Sequence, residues 1–323
     1  MWARHATDTG AHGLLSLPPM KVWASVGAIL LWTWSAAEAS TRPALDYWVA
    51  PTTELIQSGT LSWGAGRSAS LTAARGEREA FFVMFPGSDP GRATVEVKAS
   101  VFVDEQGVIA PTQVRAWRAA WVRAEGKRFP DALLPLTGPL LEVEGISPVK
   151  RGDDLVLYVE LSVPRDAVPG PYTGSVRVMV AGGEATIPVA LEVMSATLPE
   201  RASLVAGQVD HGGDVRVGMP GYSIRSLGWT AWSRHAGSFP NVRGLDPCLF
   251  YASRSRESEA SRQVESVRLK LLEEGLEDYE LLRAADQAGK GVLARVMAMR
   301  MMRHPEVIDF DAVRAELFRA LAE

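Results

Sequence analysis

The hydrophobic period changes once along this chain, and that change constrains the fold more than any other feature. From Leu45 to about Val193, short apolar runs alternate with Gly, Pro and Asp, the order of antiparallel strands joined by tight turns. Examples are Phe81-Phe82-Val83-Met84-Phe85, Leu155 to Leu161, Gly174 to Val180 and Ile187 to Val193. Val95, Val97, Ala99, Val101 and Val103 share one face at period two, which predicts one half-buried strand. Gly182-Gly183 between the last two runs predicts a two-residue hairpin. From Ser261 onward the period becomes three to four, through Val264, Val267, Leu271 and Leu272, then Tyr279, Leu282 and Ala285. Helices follow from that spacing, with Gly275 expected to end or bend the first. Two more are expected over Val292–Arg303 and Ala312–Leu321, separated by Pro305, with Asp309 as a cap for the last.

The 323 residues are 47% apolar and carry a net charge of -4. That is enough to bury a sizeable core in one or two domains. No stretch concentrates basic residues as a nucleic-acid partner would require. The sequence has one cysteine, Cys248, so neither an internal disulfide nor a zinc cluster is expected.

Met20-Lys21, the apolar run Val22 to Trp34 and the small-residue exit Ser35 to Ala39 have the order of a secretory signal peptide cut after Ala39. Translation is then expected to begin at Met20. The run is too short to span about 20 residues of hydrocarbon, so export is expected rather than a permanent membrane anchor. No cysteine stands directly after the cut, so a lipid anchor is not expected.

Specific passages go further. Ser266 to Leu282 reads S-x-R-x-x-x-x-x-x-G-x-E-D-Y-E-x-L. Upstream lie Leu71-Thr72-Ala73-Ala74-Arg75-Gly76-Glu77-Arg78-Glu79-Ala80-Phe81-Phe82, Phe129-Pro130-Asp131-Ala132-Leu133-Leu134-Pro135-Leu136 and Val163-Pro164-Arg165-Asp166-Ala167-Val168-Pro169-Gly170-Pro171-Tyr172-Thr173-Gly174. Together they resemble the terminal signature and the N-terminal β-domain of glycoside hydrolase family 123 and its relatives in domain of unknown function 4091. The two regions cover about two thirds of the chain. In that family a (β/α)8 barrel of roughly 250 residues follows the β-domain, whereas only about twenty residues separate Pro199 from Tyr222 here.

The expected fold class is therefore mixed β and α: an N-terminal antiparallel β-sandwich, a short remnant of a (β/α)8 barrel, and C-terminal helices. Residues 1–39 are read as upstream residues plus signal peptide and 40–198 as the sandwich domain. Residues 199–222 form a Gly-rich linker where the barrel is missing, and 223–323 the last barrel strand remnant with the helical segment. The strand remnant is Ser223 to Trp232, similar to the family's G-W-x-x-W segment.

The resemblance implies hydrolysis of β-linked N-acetylgalactosamine by a substrate-assisted route. One carboxylate orients the acetamide and a second carboxyl group protonates the leaving oxygen. That chemistry needs an adjacent acidic pair on a strand end, and the absent segment is where it would lie. Asp104-Glu105 and Asp153-Asp154 read as turns, and Glu273-Glu274 as the end of a helix. Glu277 and Asp278 remain the catalytic candidates, although acids near a helix start are favoured for structural reasons alone.

Asp210, His211 and Asp214 lie in a Gly-rich stretch with no fixed ligand geometry, so no metal is expected. No phosphate loop or dinucleotide fingerprint implies a cofactor. The aromatic group Trp229, Trp232, Phe239 and Tyr251 offers flat faces for a sugar ring, with burial in a core as the competing reading. Trp229, Trp232 and Tyr251 are the ligand-binding candidates. Trp117 and Trp121 lean towards structure.

The sequence therefore points to an exported, carbohydrate-associated protein with a glycan as its expected partner, truncated and without catalysis. Its alternatives are an active glycosidase on β-linked N-acetylhexosamine glycans and a truncated gene product without function.

Overall fold

A computed structural model describes residues 43–59, 66–88, 96–99, 102–103, 108–109, 113–136, 153–180, 183–203, 215–235, 249–252, 263–303 and 310–322. The expected signal segment, Asp104-Glu105, Asp210, His211, Asp214, Phe239, Pro305 and Asp309 lie outside the described residues.

Thirteen strands are described: β1 (Trp48–Pro51), β2 (Ala69–Arg75), β3 (Arg78–Phe85), β4 (Glu96–Ala99), β5 (Phe102–Val103), β6 (Val108–Ile109), β7 (Val114–Ala124), β8 (Lys127–Leu134), β9 (Leu155–Ser162), β10 (Gly170–Val180), β11 (Gly183–Thr197), β12 (Phe250–Ala252) and β13 (Gln263–Glu265). Four α-helices accompany them: α1 (Gly221–Ser233), α2 (Val267–Ala285), α3 (Gly291–Arg303) and α4 (Phe310–Ala322). A π-helical turn, Asp286–Lys290, joins α2 to α3.

Five strands form one sheet in the order β1-β3-β9-β7-β8, and six form a second in the order β2-β11-β10-β5-β6 with β4 also on β10. The sandwich is antiparallel except where β2 runs parallel to β11. The predicted hairpin forms, with β10 and β11 paired from Gly170↔Val193 to Val180↔Gly183. Its position differs by one residue, because Gly183 is already the first residue of β11.

The five-stranded sheet is buried on both faces. Along β3, Phe81, Val83 and Phe85 enter the core between the sheets, while Ala80, Phe82 and Met84 pack on α1 and α2. On β9, Leu155, Leu157, Val159 and Leu161 face inward, and Val156 and Tyr158 face the helices. Burying each large apolar side chain contributes about 1.5–3 kcal/mol, so this shared sheet fixes the helices to the sandwich. Residues 41–323 accordingly form one compact unit. Among the described residues there is no closed barrel, and no helix long and apolar enough to cross a membrane.

Three local expectations need correction. The segment Ser223 to Trp232 is not a strand but lies within α1, where Ile224, Gly228, Ala231 and Trp232 are buried at helical spacing. Gly275 neither ends nor bends the first long helix, which runs unbroken from Val267 to Ala285. Helical structure starts at Val267 rather than Ser261, because Gln263–Glu265 pairs with Phe250–Ala252.

The single expected strand over Val95–Val103 appears as two pieces with opposite phase. Phe102 enters the core and Val103 is 45% exposed. The cause lies across the sheet: a β-carbon at Gly174 would sit 2.8 Å from the Phe102 ring, so glycine leaves the room that Phe102 fills. Gly174 closes the Pro164 to Gly174 passage. Within it, Gly170 has φ 147° and Tyr172 Oη donates to the Val168 carbonyl at 2.7 Å. The two α-helices expected near the C-terminus are present as α3 and α4.

Candidate functional site

Three of the four passages that carry the family resemblance meet at one seam among β3, β8, α1, α2 and α4. Ser266 caps α2, its Oγ accepting the Leu269 amide at 3.1 Å, which satisfies a helix-end donor. Arg268, two residues on, reaches Asp131 of β8 with Nη2 to Oδ2 at 2.8 Å and Nε to both oxygens at 3.1 Å. Tyr251 Oη donates to the same carboxylate and accepts from Arg268 Nη2 at 3.0 Å. Burial and the Asp131 charge push the Tyr251 hydroxyl well above its ordinary range.

Two turns further along α2, Glu274 and Asp278 point into a fully buried cluster. Arg225 of α1 donates from Nη1 to Glu274 at 3.0 Å, from Nε to Asp278 at 3.0 Å and from Nη2 to Glu79 at 2.8 Å. Arg314 of α4 meets Asp278 at 2.7 Å and Glu79 at 2.6 Å, and also pairs with Glu77. Trp229 Nε1 donates to Asp278 at 3.1 Å, and Tyr158 Oη to Glu274 at 3.2 Å. The two guanidiniums stack over aromatic rings, Arg225 over Phe310 at 5.0 Å and Arg314 over Phe318 at 5.2 Å, a favourable use of the arginine plane.

Four buried carboxylates thus face two buried guanidiniums. Burial pushes Glu77 up to about 7 against the pull of Arg314, and Glu274 up to about 8 against that of Arg225. Burial would raise Asp278 too, but Arg225 and Arg314 outweigh it and hold that carboxyl below the usual range. Crowding of like charges in a buried site favours the protonated forms of Glu77 and Glu274.

Glu277 lies at the seam's edge, 13% exposed at its side chain. Its oxygens accept the Arg78 amide at 3.0 Å and Arg78 Nε at 3.1 Å. Arg78 Nη1 continues to Glu273 at 3.0 Å. Burial, then the Glu77 charge, raises the Glu277 carboxyl to about 8 against the pull of Arg78.

Asp278 and the aromatic site residues expected from sequence are therefore placed inside the protein, with Glu277 at the seam's edge. Trp229 is 0% exposed, Trp232 6% and Tyr251 9%. Trp229 packs edge-on against Phe310 with centroids 5.9 Å apart, so it presents no face to a sugar in this fold. Trp121 is buried and donates to the Asp154 carbonyl, while Trp117 carries Lys270 over its ring at 5.3 Å. Asp153 pairs with Arg128 through two contacts of 2.8 Å and Asp154 accepts the Gly87 amide, so the pair holds structural contacts just before β9 rather than forming the expected turn. Glu273 and Glu274 sit mid-helix rather than at a helix end.

Sequence reasoning missed Arg225 and Arg314, the cations on which the cluster depends. A signal existed for both. Each occupies a buried position of an amphipathic helix, next to Ile224 and Val313, where a charge demands a buried partner.

Beside the cluster lies a cleft of about 310 Å³ between β1 and β2, with Glu79 and Arg225 among its lining residues. Among the described residues no group of His, Cys, Asp and Glu is arranged to hold a metal ion.

No protein-family model matches the chain. No curated protein matches it. Among solved structures it is similar to a family 123 glycoside hydrolase from Clostridium perfringens, at 16% identity and TM-score 0.40, over 57% of this chain and 32% of that one. It is also similar to the GspB Siglec domain, at 14% identity and TM-score 0.22, over 55% of this chain and 70% of that one. A third is the sialic acid binding region of a Streptococcus sanguinis SK1 adhesin, at 18% identity and TM-score 0.22, over 51% and 36% of the two chains. The chain thus spans about a third of the length of the clostridial enzyme.

Proposed function

We propose that this chain is an exported, carbohydrate-associated protein without hydrolytic activity, in which the terminal signature serves as a joint. The observation that carries the non-catalytic reading is the engagement of Asp278. Its oxygens receive Arg225, Arg314 and Trp229, and the residue is 0% exposed. A general acid must reach the oxygen it protonates, and this one reaches none outside the protein. Glu277 is committed to Arg78 in the same manner.

Five of the eight signature residues have a named structural role: Ser266 caps, Arg268 binds Asp131, Gly275 admits α1, and Glu277 and Asp278 bind arginines. The carbohydrate association rests on the resemblance of the sandwich passages and the signature to family 123. Export rests on the Met20 to Ala39 pattern.

A raised carboxyl is also the mark of a general acid, so the test includes Glu277. The chain is assayed with 4-nitrophenyl β-N-acetylgalactosaminide and β-N-acetylglucosaminide. The expected result is no release above the uncatalysed rate. Release that disappears in Glu277→Gln while the melting temperature stays unchanged would establish a glycosidase instead.

A further inference from the structure

We infer that the cleft between β1 and β2 is a binding site for one neutral sugar residue and discriminates against acidic glycans. This inference rests on the carbohydrate reading above and names its site.

The cleft exists because β1 and β2 are the outer strands of their respective sheets on the same side of the sandwich. Apolar residues such as Ala69, Leu71 and Phe81 form its deep wall. Glu79 and Arg225 close its floor, and Glu54, Ser70 and Asp311 stand exposed at its rim. Its volume is at the low end of the ~300–1,000 Å³ of small-molecule sites, which gives room for one sugar ring and not for a chain. Hydroxyls and carboxylates from separate elements converge on an apolar wall, the donor and acceptor set that a polyol satisfies.

Charge decides the class of sugar. Among the described residues that line the cleft, Arg225 is the only cation. Its guanidinium is committed to Glu79, Glu274 and Asp278, so it offers no bidentate fork to an incoming carboxylate, sulfate or phosphate. Glu54 and Asp311 at the rim repel such groups further.

The test titrates the full chain with N-acetylgalactosamine, N-acetylglucosamine, galactose and 3′-sialyllactose by calorimetry, alongside Ser70→Phe and Glu54→Gln. Ser70→Phe adds bulk at an exposed strand position on the lining of the cleft. Glu54→Gln removes one rim carboxylate and keeps the fold testable should the bulky variant unfold. At least one neutral sugar is expected to bind, with loss in Ser70→Phe, about tenfold weakening in Glu54→Gln and no binding of sialyllactose. Neutral-sugar binding untouched by both variants would overturn the cleft as the site and leave the carbohydrate reading standing. Tighter binding of sialyllactose would overturn the charge argument. Absence of binding by every sugar would remove the carbohydrate reading together with its site.

Discussion

Gly228 of α1 and Gly275 of α2 meet backbone to backbone. A β-carbon on Gly228 would lie 1.7 Å from the Gly275 carbonyl oxygen, and one on Gly275 would lie 2.6 Å from the Arg225 carbonyl oxygen. Because the axes approach this closely, Arg225 arrives between Glu274 and Asp278 with its guanidinium already in bonding range. The glycine of the signature and its buried acids are parts of one packing arrangement.

Gly228→Ala and Gly275→Ala are each expected to destabilise the protein by about 3 kcal/mol or more, because the clash is with backbone and cannot be relieved by a rotamer change. Urea unfolding measures this. A change below about 1 kcal/mol would mean that the helices cross at a greater distance.

Removing one member of the buried cluster leaves its partners charged and unsolvated. Arg225→Met is expected to cost about 3–5 kcal/mol. At pH 5.5 the cost should be smaller than at pH 8.5, since Glu274 and Glu77 already hold protons there and fewer charges are left unpaired when Arg225 is lost. Denaturation of the variant at both values reads this difference, and equal costs would speak against proton sharing in the cluster.

Stability of the unaltered protein should fall as pH rises. Glu77 and Glu274 have folded values of about 7 and 8 against about 4.3 for an unfolded glutamate. Between these limits the folded state holds more protons than the unfolded chain, so unfolding free energy declines with pH and the contribution is lost above about 8. Asp278, held low, acts oppositely: its contribution disappears as pH drops through its folded value. A melting temperature about 5 °C lower at pH 8.5 than at pH 5.5 is expected, with a shallower slope in Glu274→Gln. A rise over that interval would contradict the assignment.

Arg268→Lys should show that the Asp131 contact depends on the planar fork. Lysine keeps the charge but cannot make both contacts and also donate to Tyr251. A loss of about 2 kcal/mol is expected, accompanied by altered Tyr251 absorbance in the near ultraviolet. Tyr251→Phe should cost less, about 1 kcal/mol.

Much of this architecture was legible in the chain because it is written locally. Strand alternation, the β10–β11 hairpin and the helices at Gly291–Arg303 and Phe310–Ala322 depend on neighbours a few positions apart; the hairpin and these two helices fall within one or two residues of expectation, while strands such as β10 and β11 extend up to four residues further. The helical spacing of Ile224, Gly228 and Ala231 was equally present, but the resemblance to a barrel strand obscured it. The reversed phase at Phe102 and Val103 was not legible, because the hole that receives Phe102 is made by Gly174, seventy-odd positions later.

The cluster was illegible for the same reason on a larger scale. Glu77, Glu79, Arg225, Glu274, Asp278 and Arg314 come from the β2–β3 turn, β3, α1, α2 and α4. Sequence by itself determined most of the sandwich strands, the two C-terminal helices and the acids that the signature would present, since backbone periodicity is a short-range property. Only the tertiary structure decided that Glu277 and Asp278 serve arginines and that Trp229 is core. Burial, and with it the protonation and availability of a side chain, depends on what the rest of the chain packs against it.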